Sequence, residues 1–182
     1  EGIKAAVIET LETADRYPDP LCRRLSKAIA EREHVKEGSC LCGNGADDLI
    51  FRLASAVKPR KALITAPTFA EYRAALELQS TEIEEFELKE VDGFSLTDEF
   101  IGHIKADTDM VFICEPNNPT GVCFRREEVE AIIRAARGIV VVDEAYGAFS
   151  RDSFLPQAGS IENLVVMRTI SKIGFAGLRI GY

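Results

Sequence analysis

Lys172 and Arg179 stand close together in "SKIGFAGLRIGY", residues 171–182, with an apolar, glycine-containing run between them. A surface helix spreads several charges along its outer face. This stretch does not, so both cations read as kept for a task. A lysine in a half-buried site loses proton affinity and becomes a nucleophile able to form a Schiff base with a carbonyl. Arg179 can clamp an anionic oxygen, and the Ser171 hydroxyl can add a further bond. The plainer alternative is a solvated loop lysine. Asp143 ends the apolar run of "VVVDEAYGAF", residues 140–149. A carboxylate at the end of a buried strand is costly unless a cation or proton-bearing group meets it. Helix capping is the plain alternative there. Tyr146 follows three residues later.

Two loops add polar groups. "GNGADD", residues 43–48, puts two glycines before a helix start. Glycine lets the backbone approach a ligand, and free helix N–H groups favour an anion. It has neither the third glycine of a dinucleotide fingerprint nor the lysine of a P-loop, and taken alone it reads first as an ordinary strand-to-helix turn. "EPNNPTG", residues 115–121, frames Asn117 and Asn118 with prolines, which is more than a turn needs. Together these residues describe one ligand. It carries an anion for the Gly45 turn, Ser171 and Arg179, and an aldehyde for Lys172. A ring nitrogen would meet Asp143, and a ring hydroxyl would meet Asn118 and Tyr146. A phosphorylated pyridine aldehyde fits, and pyridoxal 5'-phosphate uses a lysine with an acidic pyridinium partner.

The elements that must position these groups follow from hydrophobic patterning. Helical spacing runs through 20–33, from about 46 to 57, 68–79, 96–104 and 126–137. "KALITAP", "EIEEFELK", "DMVFICEP", "GIVVVDEA" and "NLVVMRTI" read as strands, and a short apolar run precedes Gly43. Strand and helix alternate, and several strands are apolar on both faces. That predicts an α/β fold: a mostly parallel sheet with helices on both faces and ligands at the carboxyl ends of its strands. Neither an internal repeat nor a linker interrupts the 182 residues, enough for one domain.

The formal charge of −8 argues against nucleic acid or an anionic membrane as partner. No apolar run is long enough to span a bilayer, and the first residues lack the pattern of a secretion signal. Five cysteines, an odd number, read as free thiols of a cytoplasmic protein, and Cys40-x-Cys42 has no matching pair for a metal.

In this order and at these separations, "NNPTG", "VVDEAY" and "TISKIGFAGLRIGY" resemble the fold-type I pyridoxal-phosphate aminotransferases of classes I and II. The likeness covers nearly the whole chain. "YPDP", "GNGADDLI" and "APTFAEY" are similar to the histidinol-phosphate aminotransferase branch, and threonine-phosphate decarboxylases share the look of "PTFAEY". The resemblance implies a transferase-like large domain and an amino transfer between an amino donor and a 2-oxo acid. It implies that Lys172 binds the cofactor and shuttles a proton, Asp143 pairs with the ring nitrogen, and Asn118 and Tyr146 bond the ring oxygen. Phe69 would stack on the ring. The backbone of Ala46 and Asp47, with Ser171 and Arg179, would hold the phosphate. Tyr17 would reach the phosphate of a neighbouring subunit, which makes a homodimer part of the site. Arg179 follows Lys172 by one residue fewer than in many relatives, so a tightened loop is expected. The family pattern continues far beyond Tyr182 through a small domain. Residues 1–182 are therefore expected to be a large domain truncated at both ends, with little transaminase activity alone.

Overall fold

The computed structural model describes residues 2–182. Its helices are α1 (Gly2–Thr10), α2 (Arg23–Glu33), α3 (Ala46–Val57), α4 (Glu71–Glu77), α5 (Glu99–His103) and α6 (Arg126–Ala135). The strands are β1 (Gly43–Asn44), β2 (Lys61–Ala66), β3 (Glu82–Glu87), β4 (Met110–Cys114), β5 (Ile139–Asp143), β6 (Leu164–Met167) and β7 (Ile180–Gly181). Strands β2 to β6 form one parallel sheet in the order β3-β2-β4-β5-β6.

Strand alternation divides the core into two layers. Ala62, Ile64, Met110, Phe112, Cys114 and Val141 pack with α3 and α4 residues such as Ile50 and Tyr72. Leu63, Val111, Ile113, Val140 and Val142 pack with Phe100 of α5 and with Val129 and Ile132 of α6. Each large aliphatic or aromatic side chain buried this way contributes about 1.5–3 kcal/mol. β3 lies at one edge of the sheet and carries exposed Glu82, Glu85 and Glu87, which discourage pairing with a further strand.

The strand order reverses between β2 and β4. From β2 the chain steps outward to β3, then returns to the other side of β2 and proceeds through β5 to β6. Connections leaving the carboxyl ends of β2 and β4 therefore diverge, and a crevice opens between them. Pro67 ends β2 and Pro116 follows β4, so both chains leave the sheet abruptly.

Three local expectations change. The apolar residues before Gly43 do not form a strand; β1 lies on Gly43–Asn44 and pairs antiparallel with β7. The cause is close backbone approach: a Cβ at Gly181 would lie 2.5 Å from the carbonyl carbon of Gly45. The helix expected over 68–79 starts at Glu71, which leaves Thr68 and Phe69 in the turn after β2. Residues 2–10, unassigned by patterning, form α1, which buries no side chain.

Candidate functional site

A small cleft lies at the carboxyl ends of the strands. Ala46, Asp47, Phe69, Asn118, Asp143, Tyr146, Ser171, Lys172 and Arg179 all line it. These residues come from α3, the turn after β2, the loop after β4, the end of β5 and the final segment. Of the residues to which the resemblance assigns a cofactor role, all but Tyr17 line the cleft, and Tyr17 is fully exposed.

The 171–182 segment explains its own composition. Two short 3-10 turns, Ser171–Ile173 and Ala176–Leu178, double the chain back so that β7 returns to β1. Gly174 takes φ 101° between the turns. Lys172 thus stays on the cleft, with its Nζ 5.0 Å from the centroid of the Tyr146 ring, a cation–π contact. The lysine is exposed rather than half-buried as the sequence suggested, because its short turn lies on the surface of the fold. Arg179, despite the tightened spacing, reaches the start of α3. Its Nη2 donates to the Asn44 carbonyl at 3.3 Å and to Asp47 Oδ2 at 3.2 Å.

That helix start is shaped for an anion. Gly45 has φ 88°, and any Cβ there would collide with the Arg179 guanidinium. Residue 45 supplies no side-chain cap, so the first N–H groups of α3 are not claimed from that position. Asp48 turns back to accept from the Asn44 N–H at 2.8 Å. The half-exposed Asp47–Arg179 pair is weak in solvent, so the guanidinium can exchange that carboxylate for a stronger anion. Ser171 sits beside Thr169, hydroxyl to hydroxyl at 2.8 Å, while Thr169 Oγ1 donates to the Ile180 carbonyl at 2.8 Å.

Asp143 is 2% exposed. Its Oδ2 accepts from the Tyr72 hydroxyl at 2.6 Å, and its Oδ1 accepts from the Ala145 N–H at 2.9 Å. Burial pushes its carboxyl above the usual range, while these two donors and Lys172 pull the other way. Each carboxylate oxygen keeps a second lone pair, so the group can still accept a proton-bearing cation. The proton-bearing partner expected for Asp143 is thus Tyr72, which sequence reasoning missed although "APTFAEY" contains it. Its only signal was a tyrosine on the apolar stripe of a short helix, three residues after Phe69.

The two asparagines have separate roles. Asn118 lines the cleft, whereas Asn117 is buried and holds the loops together. Asn117 Nδ2 donates to the Pro67 carbonyl at 3.0 Å and to Thr120 Oγ1 at 2.9 Å, and its Oδ1 accepts from Thr68 at 3.1 Å. The side chain thereby ties the loop after β4 to the turn after β2, across the crevice where the strand order reverses.

These residues fit pyridoxal phosphate on their own chemistry. A primary amine, a buried carboxylate with lone pairs to spare and a glycine-lined helix start beside a guanidinium share one cleft. The comparisons agree. The family model for aminotransferase class I and II matches residues 2–182, and the chain belongs to that family. The family is pyridoxal-phosphate dependent. A histidinol-phosphate aminotransferase of Neisseria meningitidis serogroup C is 48% identical over 177 residues, covering 91% of this chain and 46% of the relative. A threonine-phosphate decarboxylase of Salmonella typhimurium is 37% identical over 187 residues, covering 100% of this chain and 51% of the relative. The crystal structure of the histidinol-phosphate aminotransferase from Clostridium acetobutylicum superposes with a TM-score of 0.85 at 28% identity, over 96% of this chain and 53% of that one. The chain spans about half the length of these relatives. Among the described residues, no helix is long and apolar enough to cross a membrane.

Proposed function

We propose that residues 1–182 are the cofactor-binding large domain of a histidinol-phosphate aminotransferase. The enzyme would transfer an amino group between histidinol phosphate and 2-oxoglutarate in histidine biosynthesis, as a cytoplasmic homodimer. The observation that carries the cofactor assignment is the convergence of Lys172, Asp143 and the α3 start on one cleft. The substrate assignment rests on the 48% identity to the Neisseria enzyme.

Bound pyridoxal 5'-phosphate supplies an electron sink for the pair left when a substrate α-carbon loses its proton. Lys172 Nζ would hold the cofactor through its aldehyde carbon and would move the proton at the substrate α-carbon. Asp143 holds a proton on the ring nitrogen by accepting its hydrogen bond. Asn118 and Tyr146 orient the ring through its oxygen. Phe69, half-buried at the cleft wall, would cover one ring face and exclude water. The N–H groups of Ala46 and Asp47 would hold the phosphate together with Arg179 and Ser171. Tyr17 is fully exposed, as a residue serving a second copy's phosphate would be.

The decarboxylase reading has its own support in the 37% identity to the Salmonella protein. Incubating the full-length protein with pyridoxal phosphate tests both. Glutamate formed from histidinol phosphate and 2-oxoglutarate, without CO2 release from phosphothreonine, is the expected outcome. CO2 release without glutamate would replace the aminotransferase assignment with the decarboxylase. Neither product would overturn both.

A further inference from the structure

We propose that Tyr72 is a positioning residue whose hydroxyl fixes the orientation and the charge of Asp143. No part of the tyrosine ring is exposed. It stacks on Phe112 with centroids 4.7 Å apart at 13°, and it meets Phe69 in a T-shaped contact at 5.7 Å and 83°. A ring held on two sides cannot swing, so the position of its hydroxyl is set by the core. That hydroxyl donates to Asp143 at 2.6 Å, the short distance of a charge-assisted bond.

The chemistry explains why a donor is needed. Asp143 can hold a proton on a ring nitrogen only if it is itself ionised, and burial opposes that. Two donors oppose the burial: the Ala145 N–H from the carboxylate's own strand end and the Tyr72 hydroxyl from α4. The other titratable groups facing Asp143 are Cys114 of β4, Asp47 of α3 and Lys172 of the final segment. Asp47 raises the carboxyl and Lys172 lowers it, and the Cys114 thiol is itself pushed up to about 12, so it stays neutral. Tyr72, its own hydroxyl held well above the usual tyrosine value by burial, also stays neutral and serves as a permanent donor. It further joins Phe69, at the cleft wall, to the carboxylate at its floor.

The catalytic consequence rests on the pyridoxal-phosphate assignment; the effect on Asp143 does not. Tyr72→Phe keeps the ring and removes only the donor. In the full-length, cofactor-free protein, site-resolved carbon NMR should show the Asp143 carboxyl midpoint about one pH unit higher in the variant, the loss of one hydrogen bond to a charged group. In the loaded enzyme kcat should fall about tenfold, with KM for the amino donor changed less than about twofold. Where Tyr72→Phe lowers the folded yield, 3-fluorotyrosine at position 72 is a stronger donor of similar size and should move the midpoint down instead. An Asp143 midpoint that stays put in both variants would overturn the assignment and leave Tyr72 as core filling. A wild-type protein that binds no pyridoxal phosphate would refute the proposed function, while the cofactor-free titration would still decide the role of Tyr72.

Discussion

Asp143 and Glu144 are adjacent in the chain, and each is 2% exposed. Burial raises both carboxyls above their ordinary values. Their surroundings differ. Asp143 ends β5 on the α3–α4 side, with one neutral hydroxyl and one N–H upon it and lone pairs left over at the cleft. Glu144 points to the opposite side and is fully occupied there. Its Oε1 takes the Phe154 N–H at 2.5 Å, its Oε2 takes the Ser153 hydroxyl at 2.7 Å, and Arg168 Nε lies 3.5 Å away. Arg168 continues to Glu33 of α2 at 3.4 Å, and Glu33 accepts from the Tyr182 hydroxyl at 3.0 Å. A buried carboxylate is therefore not in itself a site. Glu144 is completed by the protein, whereas Asp143 has capacity left at an open cleft.

Substitution should separate the two sharply. Asp143→Asn removes the charge that would hold a proton on the cofactor's ring, and kcat should fall by about 10³. Its thermal unfolding should change little, because a group whose burial already disfavours its charge loses little on becoming neutral. Steady-state kinetics and a melting curve on the same sample check both halves. Glu144→Gln should do the reverse. It leaves Arg168 with Glu33 alone and should cost about 2–3 kcal/mol of unfolding free energy, with pyridoxal-phosphate affinity nearly unchanged. Equal damage to function from both variants would dissolve the distinction.

A third carboxylate sharpens it. Glu115, just after β4, is 6% exposed, accepts from the Phe124 N–H at 2.7 Å, and is pushed by burial to about 7. Its native state binds the proton more tightly than the unfolded chain does. The group's contribution to stability is therefore full below the ordinary carboxyl value of 4.5 and is lost as pH rises toward about 7. Glu115→Gln should remove that loss, so the variant gains on the wild type by about 2 kcal/mol between pH 5 and pH 7. Denaturant midpoints across that range measure it, and parallel pH curves would refute it.

The parallel core was legible because its apolar strands are buried on both faces, and helices α2 to α6 because their stripes carry a helical period. The cleft was legible one loop at a time, since Lys172, Asp143 and Asn118 each stand out from apolar or rigid surroundings. Tyr72 was not, because its reason for being tyrosine lies 71 positions away at Asp143. Nor was the β1–β7 pair, whose cause is backbone approach at Gly45 and Gly181 rather than any side-chain pattern. The difference between Asn117 and Asn118 was equally hidden, since of two adjacent amides in one loop one lines the cleft and the other is buried.

The central claim is that the Lys172 amine and the Asp143 carboxylate serve one pyridoxal phosphate. Borohydride reduction of the full-length protein loaded with that cofactor, followed by peptide mass spectrometry, tests it most directly. A pyridoxyl group found on Lys172 alone is the predicted result. The same label on another lysine, or no label on a protein that has bound the cofactor, would contradict it.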